Sequence, residues 1–227
     1  MSRIFVTGDT HGLLDIEKFE PENFPIYDDL TKEDYMIVLG DMGVCWDGCN
    51  EDKLVREKYE KYPWTTLFID GNHENFDLLE KYPVEEWHGG QVHKISDSII
   101  HLMRGQVYEL NGKKYFTFGG ARSIDRQFRK EGESWWKQEM PTEEEYELGL
   151  ETLNKINYLP NYILTHAAPT FYLQKLNPWF RPDQLSIYLG TIEYTTGYDH
   201  WYCGHYHLNR SIGRKFTCLY DDIKEIE

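Results

Sequence analysis

Eight polar residues stand at the ends of short apolar runs: Asp9 and His11 in GDTH, Asp41 in LGD, Asn72 and His73 in GNHE, His166 in LTHAAP, and His205 and His207 in CGHYH. Carboxylates, imidazoles and an amide oxygen, with no thiolate among them, suit borderline divalent ions: manganese, iron, cobalt, nickel or zinc, with neutral imidazoles as ligands. These are too many donors for one tetrahedral ion. Two ions about 3.5 to 4 Å apart could share a carboxylate, and such pairs act on phosphate esters by clamping both sides of an in-line displacement. Each fragment alone has a plainer reading, since a strand-end aspartate usually caps a helix and a solitary histidine usually makes an ordinary hydrogen bond. Five such fragments in order, each behind a strand-like run, are far rarer than any one of them.

The elements that must position these groups are legible as runs. RIFVTGD (3–9), YMIVLGD (35–41), TTLFIDGN (65–72), NYILTHAAP (161–169) and HWYCGHYH (200–207) read as strands buried on both faces, their polar carboxyl ends meeting at one sheet edge. Segments of helical character lie between the first three, including DKLVREKYEKY, where Val55, Tyr59 and Tyr62 share a face. Strand, helix, strand repetition implies parallel pairing. SIIHLMRG and QVYELNGKKYFTFGG alternate tightly, and Asn111-Gly112 marks a two-residue hairpin, so this part is expected to be antiparallel. Thr142 and Glu145 form a capping box that opens a helix through about Tyr158, with Tyr146, Leu150, Leu153 and Asn157 along one stripe and Pro160 as the stop. Residues 121–141 have no period and read as a long loop, a length that is often functional.

A chain of 227 residues, 40% hydrophobic, is expected to form a single domain over 1–227 with the 121–141 region as an insertion or loop. A net charge of -15 opposes phosphate-backbone attraction, so a small-molecule or nucleotide substrate is expected rather than a long nucleic acid. EEEYE (143–147) and the tail DDIKEIE read as exposed charge. No stretch has signal-peptide or transmembrane character, which implies a cytoplasmic protein with no membrane partner. Cys45, Cys49, Cys203 and Cys218 form no CxxC pair and are expected to be free thiols. The sequence sets no oligomeric state.

The series DxH, GD, GNHE, H and GHxH, spread over residues 9 to 207, resembles that of the calcineurin-like metallophosphoesterases. The resemblance implies an α/β fold, a four-layer αββα sandwich of two mixed β-sheets flanked by helices, with the site at the strands' carboxyl ends. It also implies Asp9, His11 and His207 on one divalent metal ion, Asn72, His166 and His205 on the second, and Asp41 bridging both. Manganese is the first expectation for the two ions, with iron, zinc, nickel or cobalt as alternatives. A hydroxide shared by the ions would attack phosphorus in line, and His73 would be the catalytic residue facing the scissile phosphate.

In many relatives an acid and an arginine follow the GD motif, orienting the catalytic histidine and gripping phosphate. Here Met42, Gly43, Val44 and Cys45 follow Asp41. That departure points toward the small phosphodiesterases of the family, acting on a small or nucleotide-type ester. The alternatives are a phosphomonoesterase, a serine/threonine protein phosphatase, or a metal-binding scaffold without activity. The presence of His73 with all seven ligand positions favours an enzyme. Asp47, or an arginine from elsewhere, could supply what is missing after Asp41. Arg122 and Arg126 in GGARSIDRQFRK (119–130) are the candidate substrate contacts, because guanidinium forks fit phosphate; pairing with surface acids is the plainer alternative. Trp135 and Trp136 either stack on a base or pack.

Overall fold

The computed structural model describes residues 1–226. Among them, a seven-stranded sheet runs in the order β13 (Ile223–Ile226), β1 (Ile4–Thr7), β2 (Tyr35–Val38), β3 (Thr65–Phe68), β6 (Ile99–Leu102), β5 (Gly90–Ser96), β4 (Val84–Trp87). A six-stranded sheet runs β11 (Arg210–Ile212), β12 (Phe216–Cys218), β10 (His200–Cys203), β9 (Tyr162–Thr165), β8 (Lys113–Phe118), β7 (Gln106–Leu110). Both are mixed. The centres, β1-β2-β3-β6 and β8-β9-β10-β12, are parallel and the flanking strands antiparallel.

Side chains alternate between two cores, as a period of two requires when both faces of a sheet are covered. Ile4, Val6, Ile37 and Leu67 face Tyr108, Tyr115, Tyr162 and Leu164 between the sheets. Phe5, Met36, Val38 and Phe68 turn the other way, onto Val55 and Tyr59 of α1 (Asn50–Lys61), Leu79 of the short α2 (Phe76–Leu79), and Phe19, Phe24 and Trp64. On the opposite outer face, Phe116, Phe118, Ile163 and Trp201 pack against α3 (Glu143–Lys155), α4 (Thr170–Leu176) and α5 (Gln184–Thr195). The result is the four-layer sandwich with two mixed sheets. Each large side chain in these layers contributes about 1.5–3 kcal/mol by leaving water. No helix among the described residues is long and apolar enough to cross a membrane.

Three expectations are corrected, and the acidic tail, its charges exposed as expected, gains a role in the first sheet. The β1–β2 connection holds two short 3₁₀ turns, Glu17–Phe19 and Tyr27–Asp29, instead of an α-helix; Pro21 and Pro25 deny it a continuous hydrogen-bond ladder. Helix α3 opens on the capping box but ends at Lys155, because Asn157 and Tyr158 turn left-handed (φ 56° and 57°) and the Tyr158 N–H closes on the Leu153 carbonyl at 2.8 Å. Asn157 is therefore exposed and off the stripe. The later half is antiparallel only in part: the β7–β8 hairpin turns through Asn111 and Gly112 at φ 51° and 74°, yet β6 and β8 pair in parallel with β3 and β9. The acidic tail supplies the edge strand β13 while keeping Lys224 and Glu225 exposed; Glu227 lies outside the described residues. The four thiols are free.

Candidate functional site

The strand ends β1, β2, β3, β9 and β10 bring the eight residues together between the two sheets. Four of them hold left-handed backbone: His11 (φ 44°), Asp41 (51°), His205 (70°) and His207 (50°). Such residues cost about 1–3 kcal/mol each and persist where surrounding structure enforces them. The GDTH and LGD loops enforce each other here, the N–H groups of His11 and Gly12 donating to the Asp41 and Met42 carbonyls at 2.8 and 3.0 Å. Glycine is required at the closest approach, since a Cβ on Gly71 would sit 2.0 Å from Asp41 Oδ1.

Two trios have their donor atoms within 4.8 Å of one another, and each could hold a metal ion: Asp9, His11 and His207; and Asp41, His166 and His205. Asn72 joins the second, its Oδ1 lying 3.3 Å from His166 Nε2. Asp41 stands between the trios. Its Oδ1 accepts the His73 backbone N–H at 2.8 Å, while Oδ2 lies 3.6 Å from His11 Nε2 and 3.4 Å from His166 Nε2.

The electrostatics call for cations. Asp9 and Asp41 are buried, and Asp9 Oδ2 makes no hydrogen bond, although His207 Nε2 lies 3.2 Å away. Burial alone would raise the Asp41 carboxyl, but His166 and His11 beside it hold it well below the usual carboxylate range. Burial likewise opposes charge on His11 and His166, yet the carboxylates outweigh it: Asp41 and Asp15 raise His11 to about 9, and Asp41 and Asp9 raise His166 to about 10. His205, desolvated and next to His166, is lowered to about 4. A divalent ion at these donors competes with protons, so metal uptake releases them. The donor set fits a pair of divalent ions.

Supporting groups set the ring orientations. His166 Nδ1 donates to the Leu39 carbonyl at 2.6 Å and His11 Nδ1 to Asp15 Oδ2 at 2.7 Å, leaving each Nε2 free to ligate. The Asn72 amide donates to Ser123 Oγ (3.2 Å), which donates to buried Glu139 (2.7 Å), so the amide oxygen is the end turned toward His166. Glu74, fully buried, accepts from Met42 N–H (2.9 Å) and Gly71 N–H (3.1 Å) and ties the LGD and GNHE loops together. Asp15→Ala is expected to weaken metal retention about 10- to 100-fold without unfolding the chain. Chelator competition checks this, and unchanged retention would remove Asp15 from the site.

Two clefts flank the cluster. The larger, about 780 Å³, includes His205 and His207 and runs along Arg122, Arg126, Trp179 and Arg181. The smaller, about 420 Å³, includes His11, Asp41, His73, Trp46 and Arg129. Of the two arginines singled out in the sequence, Arg122 is exposed on the larger cleft with no ion pair among the described residues, whereas Arg126 is held by Glu139 and lies over the Trp135 ring. Trp136 packs: it is buried, donates to Asp77 (3.1 Å) and meets the Trp46 ring at 5.7 Å. Asp47 does not approach His73; it accepts from the N–H and thiol of Cys49 at the start of α1.

Sequence reasoning missed Asp15, Ser123, Glu74 and Arg129. Glu74 lies inside the GNHE motif, and Ser123 and Arg129 in the quoted arginine stretch, but their partners come from distant segments. A comparison with curated proteins finds none that matches. The sequence model of the calcineurin-like phosphoesterase family matches residues 2–209, a span that takes in all eight clustered residues and both flanking clefts' walls. With that match over most of its length and two adjoining donor trios at the sheet edge, the chain belongs to the calcineurin-like phosphoesterases and is a metal-dependent hydrolase of phosphoester bonds.

Proposed function

We propose that the enzyme is a phosphodiesterase for small or nucleotide-type esters, working at a dinuclear centre held by Asp9, His11 and His207 on one side, Asn72, His166 and His205 on the other, and Asp41 between. The observation that carries the diester reading is the pair of clefts, one on each side of the cluster. A phosphate seated at the cluster can send one ester arm into each, whereas a monoester would leave one empty. The mixed nitrogen and oxygen donor set supports manganese, with iron, zinc, nickel and cobalt sharing the preference. Free thiols on the adjacent strands β10 and β12 support a reducing, cytoplasmic setting.

When bound, a pair of divalent ions supplies Lewis acidity to the phosphoryl oxygens and brings the pKa of a water near neutrality. The chain's residues do the rest. Asp41, fixed through Oδ1 by the His73 N–H, keeps Oδ2 between the two donor sets. His73 lies on the smaller cleft, its ring 5.8 Å from that of His11, facing the position of a scissile phosphate. Burial lowers its pKa, Asp41 pulls the other way, and the positive charge of Arg129 lowers it further, for a net decrease. At neutral pH His73 is therefore an uncharged N–H donor to the phosphoryl or leaving oxygen. Arg122, open on the larger cleft, is placed to meet a second anionic group, whereas Arg126 lines the same cleft with its charge balanced by Glu139.

A panel of bis-p-nitrophenyl phosphate, p-nitrophenyl phosphate, cyclic nucleotides and 2′,3′-cyclic phosphates, run with manganese, nickel, zinc and magnesium, tests this function. The expected result is a diester kcat/KM at least about tenfold above that of the monoester. Preference for the monoester would overturn the diester reading and leave the family chemistry standing.

A further inference from the structure

The turn after Asp41 offers His73 no acid and no guanidinium: Val44 and Cys45 are buried in the outer core of the first sheet, Trp46 meets the His73 ring only as a ring contact at 6.0 Å, and Asp47 serves the start of α1. What stands against the ring instead is Arg129, its Nη1 3.2 Å from His73 Nδ1. Of its five N–H groups, Nε–H meets Asp125 Oδ2 at 2.8 Å, and the Nη1 pair meets His73 and the Ser134 carbonyl, the latter at 3.0 Å. The two N–H groups on Nη2 have no partner among the described residues, and Arg129 lines the smaller cleft beside His11 and Asp41. It is an anchored guanidinium with one edge left over at the place where phosphate would sit.

We propose that Arg129 supplies, from the 121–141 loop, both functions absent after Asp41: it positions His73 and gives a guanidinium edge to a phosphoryl oxygen. This rests on the hydrolase reading of the site. A guanidinium only donates, so His73 Nδ1 must accept and the ring proton must sit on Nε2. An acid in that place would have done the reverse, accepting a hydrogen bond from Nδ1–H. Arg129 thus commits Nε2–H as the donor to substrate, and its Nη2 edge adds positive charge against the phosphoryl oxygens. Arg129 ties the tip of the loop through Asp125 and Ser134, while both ends of the loop are held without it. Trp136 is buried against Trp46 and bonded to Asp77, and Glu139 is fully buried on Ser123 and Arg126.

The test compares Arg129→Ala and Arg129→Lys with the unaltered chain in kcat/KM on bis-p-nitrophenyl phosphate, metal content and rescue by added guanidinium chloride. Alongside, ¹⁵N spectra of the His73 ring are taken on metal-free protein. Arg129→Ala is expected to lose about 10²- to 10³-fold in kcat/KM with its metals retained. Guanidinium should restore part of that loss in Arg129→Ala alone, and Arg129→Lys should recover no more than about a tenth of the original rate, because a point charge lacks the fork. The unaltered chain should show Nδ1 unprotonated and Nε2 protonated, and Arg129→Ala a mixture. A kcat/KM within about threefold of the original at full metal content overturns the phosphate contact. A protonated Nδ1 in the unaltered chain overturns the positioning role. If the unaltered, metal-loaded chain hydrolyses nothing, the hydrolase reading has failed by itself, and the metal-free ring spectra still decide the Arg129–His73 bond. If Arg129→Ala does not fold, Arg129→Lys and those spectra decide.

Discussion

Replacing Asp41 by asparagine is expected to lower turnover by about 10³-fold or more and to cut the metal content from two ions to one at most. The substitution is nearly isosteric. Asparagine can still accept the His73 backbone N–H that Asp41 Oδ1 takes at 2.8 Å, so the loop geometry survives. What disappears is the charge on Oδ2, which lies within 3.6 Å of donors from both sets. The loss of several kcal/mol of charge stabilisation corresponds to the rate factor just given. His11 and His166, raised to about 9 and 10 mainly through Asp41, should fall toward ordinary values in this variant. Elemental analysis with steady-state kinetics checks both effects. Two ions retained at unchanged turnover would place the bridge elsewhere.

His73→Ala is expected to reduce kcat by about 10²- to 10⁴-fold while both ions remain. His73 belongs to neither donor trio: its ring centroid is 5.8 Å from that of His11, and its hydrogen bond to Asp41 is made by the backbone N–H, which alanine keeps. The pH dependence follows from the sign of its shift. With the pKa lowered, His73 carries charge only below its ordinary range, so the uncharged ring is the form present from about pH 7 to about pH 8.5. The ratio of turnover in the unaltered enzyme to that in His73→Ala should stay level across that interval. A fall in kcat there that His73→Ala abolishes would show that the charged ring is the working form. Loss of metal in His73→Ala would instead make the residue a ligand.

The candidate site was legible in the sequence because chemistry restricts it to few residue types, each at the end of a recognisable apolar run. Asp9, Asp41, Asn72 and His166 fall where strands stop, so one periodicity places them all at the same edge. The alternation that puts Phe5 on one face and Ile4 and Val6 on the other was equally readable. What escaped depends on contacts between distant segments. Arg126 could be read as a phosphate contact or as half of an ion pair, and Glu139, thirteen residues on, holds it in the pair. Arg129, three residues beyond it, reaches His73 only because the loop folds back over the site. The tail became β13 through pairing with β1 at the opposite end of the chain, which local composition does not encode. The end of α3 moved because Asn157 and Tyr158 adopt left-handed backbone, and a tyrosine gives no warning of that.

The most direct measurement is a titration of the metal-free protein with manganese, followed simultaneously by bound ion per chain and by hydrolysis of bis-p-nitrophenyl phosphate. The expected result is a limit of two ions per chain, with turnover rising in step with the second. Saturation at one ion, or two bound ions with no hydrolysis of any diester, would contradict a dinuclear phosphodiesterase.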